Sequence, residues 1–130
     1  MTAISDWLEL AILDLVLRGQ AYTGASTIYA ALYTTATDDG ASGTEVVGNG
    51  YSRVLVPSFD PPAAGVCSNS ASVTFGPATA SWGVVTHFAL YDGSGGAANR
   101  LFHGPLTIPK TVSAGDSFVF PIGNISVKAD

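Results

Sequence analysis

A chain of 130 residues with five Lys and Arg, ten Asp and Glu and a formal net charge of −5 is enough polypeptide for one domain. Its cations are spread over Arg18, Arg53, Arg100, Lys110 and Lys128 and make no basic stripe, which excludes direct nucleic-acid binding through phosphate contacts. Charged residues are 12% of the chain against roughly 25% in ordinary soluble domains, whereas the hydrophobic content of 47% is that of a normal core. A surface of Gly, Ala, Ser and Thr is easily desolvated, so it suits a neutral monomer or, the reading favoured here, a subunit largely buried by neighbours.

The stretch from Met1 to Leu17 is apolar, but it has no basic leader and carries Asp6, Glu9 and Asp14. It therefore reads as neither a signal peptide nor a membrane span, which needs about 20 clean residues. The expectation is synthesis in the cytoplasm, no export signal and no membrane insertion. Instead the pattern predicts a helix over Ser5 to Arg18. Ser5 caps it, Asp6 and Glu9 face the positive first turn, Asp14 and Arg18 pair at i,i+4, and Gly19 ends it.

At 100° per residue Ile4, Leu8, Ala11, Ile12 and Leu15 gather on one face as a core stripe. Leu10, Leu13 and Leu17 fall almost opposite, among Asp6 and Glu9. A second apolar stripe has no reason to face water. It predicts either a helix sunk in a large core or, with only 130 residues to enclose it, a helix held between its own sheet and another subunit.

From Thr27 the chain becomes β-branched and aromatic, cut by Gly, Pro, Asn and Asp. Strands are expected at Thr27–Thr35, Tyr51–Val56, Ala71–Phe75, Val84–Asp92, Arg100–Leu106 (stopped by Pro105), Ser117–Pro121 and Asn124–Lys128, with Ser58–Gly65 an extended connection. In Val84–Asp92, Val84, Phe88 and Leu90 alternate against Val85, Ala89 and Tyr91; both faces are apolar, so this strand is central or covered twice. The predicted fold is mainly β, a single domain over 1–130: a β-sandwich or jelly-roll-like antiparallel barrel over 27–128 with a helical N-terminal segment over 1–19.

Catalytic patterns are absent. There is no nucleophile elbow, no HExxH and no phosphate-binding loop. His87 and His103 with a carboxylate could meet as a metal site, but they read better as hydrogen-bonded core or interface residues. Asp38-Asp39-Gly40 with Glu45 lacks the ordered oxygens of a calcium loop and reads as a turn. Gly93–Gly96 is a loop, and lone Cys67 reads as a buried structural thiol. No catalytic, cofactor-binding or metal-ligating residue is therefore assigned. Trp82 and Tyr51 could form a sugar-stacking platform, though a Trp before a buried strand more often plugs the end of a sandwich.

Taken in order, the segments LVLRG and AYTG, TIYAALYTT, DDGASGTEVVGNGYSR, SVTFGPATASWGVVTHFALYD, NRLFHGPLT, KTVSAGDSF and ISVKAD carry a resemblance over nearly the whole chain. They resemble a family of small virion proteins of tailed bacteriophages labelled as tail-fibre proteins. GTEV-x-G-x-GY-x-R and ATASWG-x-VTHF are the most specific parts. The resemblance implies a non-enzymatic, β-rich component of the phage particle, of tail-fibre or capsid-decoration type, made in the host cytoplasm and residing in the virion. Its expected partners are itself, as a homo-oligomer for which a trimer would suit, and other phage structural proteins. The Leu10–Leu13–Leu17 stripe is the expected assembly interface. A host-receptor or carbohydrate-binding adhesin using Trp82 and Tyr51 is the alternative, and a metal-dependent hydrolase on His87 and His103 a third.

Overall fold

The computed structural model describes residues 2–23 and 27–129; Met1, 24–26 and Asp130, which the predicted domain includes, lie outside the described residues. In chain order the elements are β1 (Ala3–Ile4), α1 (Asp6–Arg18), β2 (Ile28–Tyr33), β3 (Val54–Val56), β4 (Val66–Ser68), β5 (Val73–Phe75), β6 (Gly83–Tyr91), β7 (Arg100–Val112), β8 (Phe118–Phe120) and β9 (Ser126–Lys128). The protein is mainly β with one helix near its N-terminus, as its alternating apolar pattern predicts.

An antiparallel sheet in the order β1-β7-β6-β2-β3 forms one layer, and the ribbons β4-β9 and β5-β8 are separate. Between them lies the core. Leu32, Val85, Phe88 and Leu90 project from the sheet onto Val73, Phe75, Phe118 and Phe120 of one ribbon and Val127 of the other. The sheets stay open and do not close into a barrel, so of the two expected forms the layered one describes the molecule.

Three local expectations are corrected. The regular alternation along β6 fails because the ladder to β7 shifts register between Val85 and His87. From Val85 to His87 in β6 the partner strand runs from Lys110 to Pro105, an irregularity in the ladder across which the parity of β6 reverses. Val85 thus joins Phe88 and Leu90 in the core, while Val84 is left exposed. Second, Pro105 does not stop β7, which runs on through Pro109 to Val112. β1 covers its outer edge only at Phe102 and His103, so beyond them a missing N–H breaks no ladder on that side. The same prolines discourage a further strand from adding there. Third, Cys67 is half-buried rather than buried; it lies in β4, which the sequence pattern did not reveal, and its thiol donates to the Asp60 carbonyl at 3.2 Å.

The helix forms where its caps place it. Ser5 is extended and accepts the Leu8 N–H at 3.2 Å, and Gly19 ends the helix at φ 66°, a conformation in which a side chain would be strained. The expected core stripe does not hold, however. Of Ile4, Leu8, Ala11, Ile12 and Leu15, only Leu8 is buried; Ile12 is 39% and Leu15 45% exposed. The outer sheet face that α1 would cover is already occupied: Ala31, Tyr33, Ala89 and Tyr91 cluster there with Ala98, and two arginines lie over the tyrosine rings.

Candidate assembly surface

The root of α1 is fixed by backbone. β1 pairs with β7 at Ala3 with His103 and Ile4 with Phe102. Immediately after it, the Ser5 N–H donates to the Leu101 carbonyl at 2.9 Å, and its hydroxyl donates to the Arg100 carbonyl. The Asp6 N–H then donates to the Asp39 carbonyl at 2.9 Å, tying the first turn to the 38–43 loop. Trp7 meets Tyr22 edge to face at 6.0 Å, which folds the following segment back on the helix.

Beyond that turn the helix leaves the body. Leu10 is 66%, Leu13 52% and Leu17 75% exposed, and Val16 beside them 70%. Between α1 and the end of the sandwich runs a cleft of about 730 Å³ lined by Ile4, Ile12, Leu13 and Phe102, with Glu9 and Lys128 at its margins. Phe102 also borders an apolar cavity of about 310 Å³ under the β4-β9 ribbon. A helix of 13 residues is marginal in water on its own. The exposed Asp14–Arg18 pair at 2.9 Å adds only a few tenths of a kcal/mol. The two caps and Leu8 are thus most of what this domain supplies to α1.

The loop under the helix is held by Arg100, which is buried. Its Nη1 donates to the carbonyls of Asp38 at 3.0 Å and Gly40 at 3.3 Å, and its Nη2 to the hydroxyls of Tyr33 at 2.9 Å and Tyr91 at 3.2 Å. Its Nε reaches the Tyr91 hydroxyl at 3.3 Å, and the two tyrosines are hydrogen-bonded to each other. Each donor direction of the guanidinium is used, and Oδ1 of Asp38 stands off at 3.8 Å. His103 completes the anchor: its ring shares hydrogen bonds with Thr37 at 2.9 Å and the Asp39 carboxylate at 2.8 Å.

Burial, reinforced by the Tyr91 hydrogen bond and opposed by Arg100, pushes the Tyr33 phenol up to about 12. A pKa raised on folding favours the native state fully below the unfolded value near 10, and that stability is lost as pH rises through the folded value. Denaturant titrations should therefore show stability falling between about pH 10 and 12, with a shallower slope in Tyr33→Phe. An identical slope in the two proteins would contradict this network.

A second cluster abuts the first. Arg53 grips Glu45 with Nε and Nη2, both at 2.9 Å, donates to the Gly95 carbonyl at 2.8 Å, and stacks on the Tyr91 ring at 3.7 Å. Tyr51 donates to Glu45 at 2.7 Å and accepts the Leu32 N–H at 3.0 Å; its burial raises its phenol far above the usual range. Trp82 is 6% exposed, bonds the Asn49 carbonyl through its indole N–H at 2.9 Å and packs edge-on to Tyr51 at 5.5 Å. Trp82 thus sits in the core and Tyr51 is half-buried, in the packing role and not on the surface as a stacking platform. Gly50, at φ 82°, passes so close to Pro77 that a Cβ would stand 3.0 Å from its carbonyl oxygen. The motif GTEV-x-G-x-GY-x-R is therefore a folding unit, in which Glu45 ties Tyr51 to Arg53 and Gly50 packs against Pro77.

His87 is half-buried, hydrogen-bonded to the Thr86 hydroxyl at 2.8 Å, and its imidazole is held below its ordinary value by burial and by His103. Among the described residues no group of three or more His, Cys, Asp or Glu is placed to hold a metal ion, and no helix is long and apolar enough to cross a membrane.

Comparison with known proteins follows the same line. A family model described as podophage GP4 fiber I protein gp80 matches residues 3–128. The chain belongs to this fibre family. No curated protein matches it. A phage fibre protein is a structural component of the virion, and the gp80-type match spans both the sandwich and α1.

Sequence reasoning missed the arginine anchor of this gp80-type protein. From its neighbours in the chain Arg100 reads as the start of a strand, and Tyr33 and Tyr91 as strand residues. The available signal was the repeated small-then-Tyr alternation, Ala31 with Tyr33 and Ala89 with Tyr91, which places two phenols on one sheet face beside an arginine in register with Tyr91.

Proposed function

We propose that this fibre-family protein is a non-enzymatic structural subunit, one domain over 1–130, that assembles with copies of itself and docks on other virion proteins through α1. The observation that carries this reading is a helix bolted at its first turn whose Leu10, Leu13 and Leu17 lie 52–75% exposed. Covering each of these leucines would contribute about 1–2 kcal/mol, and the low charge of the chain keeps the desolvation of surrounding surface cheap. An assembly repeated around a symmetric particle adds avidity to such contacts. The anchored root also fits, because a contact element that holds its direction loses less freedom on docking.

Replacing Leu13 by Asp tests the proposal. The variant should keep the wild-type near-ultraviolet circular dichroism while its light-scattering mass falls toward that of a single chain. An unchanged oligomer mass would refute it. A charge at Leu13 leaves Leu8 and the core untouched, so folding and association separate cleanly.

A further inference from the structure

We infer that the cavity under the β4-β9 ribbon is a binding site for a compact, uncharged apolar molecule of about ten carbons, with a two-ring aromatic such as naphthalene as the type. This goes beyond assembly through α1 and does not depend on it. The site lies where the ribbon crosses the sheet. Ala30, Leu90 and Phe102 stand opposite one another across β2, β6 and β7, and Ile28, two residues from Ala30, shares their face. Ile28, Leu90 and Phe102 therefore make the floor, and Cys67 and Val127, paired across the β4-β9 ladder, make the roof. Phe59 lines the space from the preceding connection, and exposed Pro62 and Gly65 stand at its mouth.

The roof is held off the floor by bonds at both ends of the ribbon. At one end the Asn69 side chain, fully buried, accepts the Ile125 N–H at 2.9 Å and donates to the carbonyls of Ala71 at 2.7 Å and Pro121 at 3.1 Å. At the other, the Ala129 N–H donates to the Gly65 carbonyl at 2.9 Å and the Lys128 N–H to the Thr2 hydroxyl at 3.3 Å. The space is thus preformed, as ligand sites usually are. Its chemistry is set by what it lacks. The Cys67 thiol already donates to the Asp60 carbonyl at 3.2 Å, and the Asp60 N–H to the Ser68 carbonyl at 2.8 Å, so a ligand meets hydrocarbon and engaged polar groups. A charged or hydrogen-bonding ligand would lose its hydration with nothing in return. Water gains little there either, because it needs two to four polar partners, so an apolar molecule displaces it favourably. Volume then sets the size. About 310 Å³ is roughly twice the ~150 Å³ of an apolar cavity that takes one benzene ring.

The test is a titration of the full chain with naphthalene, read in two ways. Scanning calorimetry should show a melting temperature that climbs by several degrees as the ligand binds the folded state alone. Alkylation of Cys67 by iodoacetamide reports the place, since the chain has one cysteine and it lies in the roof. Its rate should fall about fivefold when four sites in five are filled. No rise in melting temperature would overturn the site, and a rise without protection of Cys67 would put the ligand elsewhere and overturn it equally. Ile28→Phe, which extends the floor into the space, should abolish both effects; a variant that folds and still gives both would contradict the assignment. If that variant does not fold, protection of Cys67 in the unsubstituted chain decides. Leu13→Asp should leave both effects unchanged, so this site and assembly through α1 stand or fall separately.

Discussion

Replacing Arg100 by Ala should cost about 3–5 kcal/mol of folding stability in denaturant titrations, the largest effect expected of any polar substitution here. The guanidinium is the common partner of the Tyr33 and Tyr91 hydroxyls and of the Asp38 and Gly40 carbonyls. Removing it strands several buried polar groups at once, each with its own desolvation penalty. The damage should spread to the helix root, because the Asp6 N–H bonds the Asp39 carbonyl within the loop that Arg100 holds. Arg100→Lys should rescue little, since one ammonium cannot reproduce a planar fork that serves two phenols and two carbonyls. A loss below about 1 kcal/mol for Arg100→Ala would mean that the network contributes no more than exposed pairs do.

Phe75→Ala should cost a similar amount, about 3–5 kcal/mol, for a different reason. Phe75 is fully buried, stacked on Tyr51 at 6.1 Å and edge-on to Phe118 and Phe120 at 6.0 and 6.2 Å. It joins the β5-β8 ribbon to the motif around Tyr51, so the cavity left by Ala cannot close without moving both. Val119 on the same ribbon is 42% exposed and supplies the internal control: Val119→Thr should change stability by less than about 1 kcal/mol. Equal losses at the two positions would show that the ribbon is not packed on the sheet as described.

The parts of this architecture that are local were legible in the sequence. The cap at Ser5, the stop at Gly19 and the strands around Ile28–Tyr33, Val73–Phe75 and Phe118–Phe120 each follow from a few adjacent residues. What the sequence hid is non-local. The bulge after Val85 depends on how β7 pairs with β6, and the persistence of β7 past Pro105 depends on how little of its outer edge β1 covers. The helix shows the same division. Its two apolar stripes were visible, but that only Leu8 of them is buried depended on Tyr33, Tyr91 and Arg100 occupying the sheet face, a contact between positions 67 residues apart in the case of Tyr33 and Arg100. The family resemblance was legible because its motif is a self-contained cluster, Glu45 with Tyr51 and Arg53, close together in the chain.

The central claim is that this fibre-family chain works through contact between copies at its projecting helix. The most direct measurement is the light-scattering mass of the unaltered protein across a concentration series, set beside Leu13→Asp under the same conditions. The mass should be a multiple of the 13.2 kDa chain and should collapse in the variant. A mass of one chain at every concentration, or an oligomer indifferent to the charge at Leu13, would contradict it.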